Sequence, residues 1–277
     1  MNSDEIIAQV NELFPETETM MPAVFIGHGS PMNAIEDNQF VEGFKNIART
    51  FQKPKAIISI SAHWFINRTR VTAMENPKTI YDFYGFPDEL YAVQYPVKGA
   101  PQLASIVSEL LKPYIVDPDK KWGLDHGTWS VLRHFYPEAD VPVIQLSIDN
   151  TASAHYHFEL GKKLSSLRKR GILIMGSGNI VHNLRLVDFN GFDKDDYGYS
   201  WAREAKDIIN NLISEENYAR LIDYKKLGEA VSIAIPTPDH YFPLLYALGA
   251  RQKDEPLTFY NDKLTAGSLS MTCVKTG

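Results

Sequence analysis

Apolar residues fall along this chain in two alternating rhythms. Short unbroken runs, Ala23–Ile26, Ala56–Ile60, Val143–Ile148 and Ile172–Met175, with Leu257–Tyr260 and Leu269–Val274 near the end, have the length expected of buried strands. Between them, apolar residues recur at three- and four-residue spacing over Phe40–Phe51, Pro101–Leu111, Trp129–Phe135, Ala154–Arg170, Trp201–Ile213 and Leu244–Leu248, which predicts helices. The alternation predicts an α/β fold, with a mostly parallel central sheet covered by helices on both faces. With no repeat, low-complexity tract or linker-like break, residues 1–277 read as one domain, and residues 1–20 as an acidic helical extension to it.

Composition narrows the function more than the fold. At 277 residues and 44% hydrophobic content, the chain is long and apolar enough for a substantial core with a deep cleft. A net charge of −6 without any Lys/Arg-rich block predicts neither a nucleic-acid nor an anionic-membrane partner, so a small molecule is expected. The lone Cys273 excludes an internal disulfide and any thiolate-rich metal site, and reads as a C-terminal strand residue. The start of the chain has no basic, apolar leader pattern and no later apolar run is long enough to span a bilayer, so a cytoplasmic location is expected.

The candidate chemistry lies in the histidines. His28 follows VFIG, His63 follows IISISA, and His182 comes a few residues after ILIMGSG. In an open parallel sheet, ligands bind in the crevice beyond the carboxyl ends of the strands, so these distant imidazoles are candidates to converge there. His240 precedes Pro243, which fits only the first turn of a helix, and the helix dipole there would keep the ring neutral and able to bind a metal. Three such imidazoles with open coordination positions suit an Fe(II) or Zn(II) catalytic site. Taken singly, a histidine after a strand is more often a hydrogen-bonded core or loop residue.

Glycine flanks two of these positions, in Gly27-His28-Gly29 and Gly176-Ser177-Gly178, where the backbone can turn sharply or approach a ligand closely. His126 lies where a loop enters a helix, and the preceding Asp125 is placed either to cap that helix or to orient the imidazole. His155 and His157, two apart on a helix, face different ways and read as surface residues, whereas His134 reads as part of a helix packing face. The segment Tyr81–Tyr95 carries six aromatics without a sustained period. It is read as the wall or lid of a pocket for a planar ligand, as core packing, or as a subunit contact.

Five motifs together give the chain a family likeness: GHGSPM at 27–32, SAHW at 61–64, GLDHGTW at 123–129, GSGNIVHNL at 176–184 and PTPDHYFPLLYALG at 236–249. In order and spacing the chain resembles the 4,5-DOPA extradiol dioxygenase group of the class III extradiol ring-cleaving dioxygenases. The resemblance implies a single catalytic α/β/α domain with one non-haem divalent metal ion held by His28, His63 and His240. It places His182 beside the metal, as a further ligand or as the acid–base residue, and turns His126 toward the substrate. The implied partners are a small aromatic diol and O2, with Fe(II) expected for turnover. Better-known members of the wider class use two histidines and a carboxylate, whereas His240 occupies the third place here, so an all-histidine site also suits Zn(II). The competing readings are a zinc-dependent hydrolase of esters or amides and a non-catalytic metal-binding protein of the same fold.

Overall fold

The computed structural model describes Ala8 and residues 10–277. Its first half comprises β1 (Ala23–Gly27), α1 (Gln39–Ala48), β2 (Ala56–Ile66), β3 (Thr69–Thr72), α2 (Asp88–Tyr91), α3 (Pro101–Leu110), β4 (Val116–Asp119) and α4 (His126–Phe135). There follow β5 (Val143–Asp149), α5 (Ala154–Leu164), β6 (Ile172–Gly178), α6 (Ser200–Ser214), α7 (Tyr218–Ile222), α8 (Glu229–Ala234) and α9 (Phe242–Gly249). The chain closes with β7 (Leu257–Tyr260), β8 (Leu264–Thr265), β9 (Leu269–Ser270) and β10 (Cys273–Thr276).

Eight strands form the main sheet in the order β4-β3-β5-β2-β6-β1-β10-β7. The four in the middle, β5, β2, β6 and β1, are mutually parallel and almost wholly apolar, because helices cover both of their faces. Successive side chains point to opposite faces. Phe25, Ile58, Ile60, Ile144 and Ile174 therefore join one core with α3, α5, α6 and α9, while Val24, Ile26, Ile57, Val143 and Leu173 join a second core with α1 and α4. The fold is the three-layer α/β arrangement that the alternation predicted.

Of the flanking strands, β7 coincides with the expected run Leu257–Tyr260, whereas β3 and β4 lacked a clear signal. β3 (TRVT) and β4 (VDPD) carry no apolar run, and β4 tolerates Pro118 because it forms an edge. The run Leu269–Val274 does not form one strand. Ser270 bonds the backbone of Val181 through both its N–H and its hydroxyl, which holds β9 beside the segment after β6, and only β10 enters the main sheet, antiparallel to β1. The helix expected to reach Arg170 is α-helical to Leu164, continues as a 3₁₀ turn over Ser165–Arg170, and stops at Gly171 in the left-handed region. At the N-terminus, helix covers residues 10–13 and stops ahead of Pro15, which disfavours helical geometry in the preceding residue; residues 1–7 and 9 of the expected helical extension lie outside the described residues.

Candidate metal centre

The carboxyl ends of the parallel strands β1, β2 and β6 meet at one crevice. His28 is the first residue after β1. His63, expected just beyond a strand, lies within β2, at the place where pairing with β5 slips from Ile60↔Leu146 to Phe65↔Ile148. That irregularity lets an extended strand aim His63 into the crevice. His240 precedes α9, and its carbonyl accepts from the N–H of Asn179, just after β6. The approach is close: a Cβ on Gly178 would sit 2.1 Å from the His240 carbonyl oxygen, so only glycine fits there. Gly127 plays the same part under His63, where a Cβ would lie 2.5 Å from Ser61 Oγ.

Ring centroids of His28, His63 and His240 form a near-equilateral triangle with sides of 5.0, 5.0 and 5.4 Å. Two further imidazoles flank it. His126 lies 3.9 Å from His63 between centroids, and His182 stacks on His240 at 3.4 Å with an 8° tilt. All five candidate histidines thus come together, although 212 positions separate the first from the last. Asp125 caps α4 by accepting from the Thr128 N–H and is bonded by Gln145, so of its two expected roles capping is the one it fills. Burial, and then the nearby Asp82, push its carboxyl up to about 6.

The hydrogen-bond partners fix which nitrogen of each ring is free. Ser177 donates to the Gly127 carbonyl at 2.5 Å, so its oxygen must accept from His28 Nδ1, 3.0 Å away. Asp239 accepts from His240 Nδ1. Asp82 Oδ2 stands 3.3 Å from His63 Nδ1. With protons on Nδ1 of His28 and His240 their Nε2 atoms carry lone pairs, and a proton on His63 Nδ1, the state that the adjacent Asp82 carboxylate favours, leaves its Nε2 the same. His28 Nε2 and His63 Nε2 nevertheless face each other at 3.1 Å, and His240 Nε2 is buried without a hydrogen-bond partner among the described residues. Two facing lone pairs and an orphaned third are unfavourable unless a cation sits among them. Two metal–imidazole bonds of about 2.0–2.1 Å readily span such a gap. The donor set fits one metal ion.

Electrostatics point the same way. Burial, and then the neighbouring imidazoles, hold the pKa values of His28 and His63 well below the ordinary range, and His182 is lowered by burial and by His240. These rings stay neutral at physiological pH, the state that coordinates metal. Burial works against the charge on Asp239, but its bonds to His240 and Thr237 prevail and keep it ionised.

One residue of the site escaped the sequence reading: Asp82, which bonds His126 twice, through the ring Nδ1 and the backbone N–H, each at 2.9 Å. Its only signal was a lone carboxylate among aromatics in Tyr81-Asp82-Phe83-Tyr84. The aromatic segment does wall the site, because Phe83 meets His126 edge-on at 5.5 Å and packs against Trp129 of α4.

The remaining histidines stay apart. His134 bonds the Asn33 carbonyl and His155 is exposed. His157, expected on the surface, is fully buried: its two ring nitrogens bond the Tyr246 hydroxyl and the Asp149 carbonyl, because α5 turns that face onto α9.

A three-layer α/β fold with a histidine cluster at the strand ends of its sheet is compatible with a metal-binding enzyme, and comparison identifies the family. The model of the catalytic LigB subunit of aromatic ring-opening dioxygenase matches residues 22–271, and the chain belongs to this family. It is therefore an aromatic ring-opening dioxygenase acting on an aromatic substrate and O2.

Individual relatives agree. The chain is 46% identical over 265 residues to the 4,5-DOPA dioxygenase extradiol of Escherichia coli (strain K12), covering 94% of this chain and 96% of that protein. It is 35% identical over 254 residues to the Beta vulgaris protein of the same name, covering 89% and 92%. A crystal structure of an uncharacterized protein from Escherichia coli K12 superimposes with a TM-score of 0.80 at 42% identity, over 93% of this chain and all of that one. No helix among the described residues is long and apolar enough to cross a membrane.

Proposed function

We propose that residues 1–277 act as one catalytic domain in the cytoplasm, holding a single divalent ion through Nε2 of His28, His63 and His240 and opening catechols such as DOPA in the extradiol sense. The observation that carries the ligand set is the convergence of the three rings, with His28 Nε2 and His63 Nε2 3.1 Å apart and His240 Nε2 buried without a partner among the described residues. The names of the relatives support the substrate, and Phe83 against His126 agrees with a planar one.

Fe(II) is the ion expected for turnover, with Zn(II) as an alternative occupant, because a bound ion acidifies catechol hydroxyls while only a redox metal passes electrons between ring and O2. The protein's own part is proton handling and orientation. His182, neutral and stacked on His240, receives a proton from a substrate hydroxyl. His126, with its Nδ1 proton committed to Asp82, offers Nε2 as an acceptor to a ring hydroxyl. Phe83 limits how the ring can lie against His126, and the desolvated crevice strengthens each of these contacts.

The deciding experiment is an oxygen electrode coupled to product mass analysis. Anaerobically Fe(II)-loaded protein is expected to consume O2 with DOPA and place both oxygen atoms in an opened, coloured product. The zinc-loaded form is expected to be inert. An inert Fe(II) form across a broad catechol panel would overturn the assignment of substrate and metal.

A further inference from the structure

We propose that Asp82 is a positioning residue that sets the tautomer and orientation of both His126 and His63, so that one carboxylate couples the proton-handling side of the site to the metal-holding side. This rests on the ligand set proposed above for His63.

The geometry is specific. Oδ1 accepts from the His126 backbone N–H at 2.9 Å, which locks the carboxylate to the first residue of α4. Oδ2 is then directed at two imidazoles at once, 2.9 Å from His126 Nδ1 and 3.3 Å from His63 Nδ1. A carboxylate only accepts, so the His126 Nδ1 bonded to it carries the proton, and a proton on His63 Nδ1 is favoured because a lone pair there would face the same oxygen; both Nε2 atoms then keep a lone pair. Nothing else described here bonds the ring nitrogens of His126. The loop that carries Asp82 is itself fixed, since the Tyr81 hydroxyl donates to the Val93 carbonyl at 2.6 Å and Phe83 packs on Tyr91 and Trp129. Ser177 and Asp239 hold His28 and His240 from behind by hydrogen bonds to Nδ1, as outer partners of metal-bound histidines commonly do, and the Asp82 carboxylate occupies the same place behind His63 at 3.3 Å, as a charge contact. Asp82 alone holds a second, non-ligand imidazole as well.

The isosteric change Asp82→Asn separates this role from mere packing. Asparagine can keep the bond from the His126 backbone through its carbonyl oxygen, but it then presents an NH2 where Oδ2 stood. His126 Nδ1 and His63 Nδ1 must become acceptors, which moves their protons to Nε2 and opposes metal binding at His63.

Two measurements on the full chain test this. In the metal-free protein, long-range 1H–15N spectra of 15N-histidine-labelled wild type should show His126 and His63 as Nδ1–H tautomers, and in Asp82→Asn both should turn to Nε2–H. Competition with a chromophoric chelator should show Co(II) binding weakened by about 10–100-fold in the variant. An Nε2–H tautomer for His126 in wild type overturns the proposal even if the variant does not fold. A folded variant with wild-type tautomers and Co(II) affinity overturns it as well. If Co(II) is instead retained in full by His63→Ala, the ligand set fails, while the tautomer spectra still report on Asp82 and His126.

Discussion

The protein buries histidines in two places, and only one of them is proposed above as the reaction site. His157, between α5 and α9, and His28 and His63 of the crevice are all desolvated, and burial holds the pKa values of all three below the ordinary range. They differ in what their ring nitrogens meet. Both nitrogens of His157 are bonded, to Tyr246 and to Asp149, and the ring serves as a polar bolt in an apolar layer. In the crevice His28 and His240 are bonded through Nδ1 to Ser177 and Asp239, whereas His28 Nε2 meets only His63 Nε2 and His240 Nε2 has no partner among the described residues. Burial and a shifted pKa accompany structural and functional histidines alike, so the unpartnered nitrogen is the discriminating feature.

That contrast breaks most sharply under alanine substitution. His28→Ala, His63→Ala and His240→Ala should each lose metal by more than the roughly 10–100-fold that an outer partner costs, read by elemental analysis. His157→Ala should keep its metal. Near-stoichiometric metal in all three triangle variants would make the crevice no different from the α5–α9 contact.

His182→Ala should retain most of the metal while kcat falls by about 10²–10⁴-fold, the usual contribution of a positioned acid–base group. Metal content and turnover must be read on one preparation. A parallel loss of metal would move His182 into the ligand set, and full activity with normal metal would remove it from the reaction.

For His157 the expected effect is on stability. Its pKa is pushed down to about 4, chiefly by burial. The folded state then keeps the ring neutral while the unfolded chain takes up a proton below about 6.5, so stability is complete above that pH and declines as pH falls toward 4. The loss attributable to this ring is about 3 kcal/mol by pH 4. Denaturant unfolding of wild type and His157→Gln between pH 7 and 4 checks it, and equal slopes in the two proteins would remove the ring as the cause.

The smallest change is Tyr246→Phe, which deletes one buried hydrogen bond to His157. It should cost about 1 kcal/mol of stability with metal content and turnover unchanged. A loss of metal in this variant would show that the two regions are linked.

Local pattern was enough for the central strands and most long helices, since an unbroken apolar run or a three-to-four repeat reflects burial whatever the rest of the chain does. Strand-end placement made His28, His63 and His182 candidates, the helix entry before Pro243 added His240, and the five motifs gave the family and the expectation for His126. The short strands β3 and β4 at one margin of the sheet lacked such a pattern, and β4, as the edge, need not be apolar on both faces. Only the folded chain decided which nitrogens are free, that His157 points inward, that His63 sits within a strand whose pairing slips, and that Asp82 reaches two imidazoles. Those outcomes depend on which side chain stands 3 Å from which, and such distances arise between segments that the sequence keeps far apart.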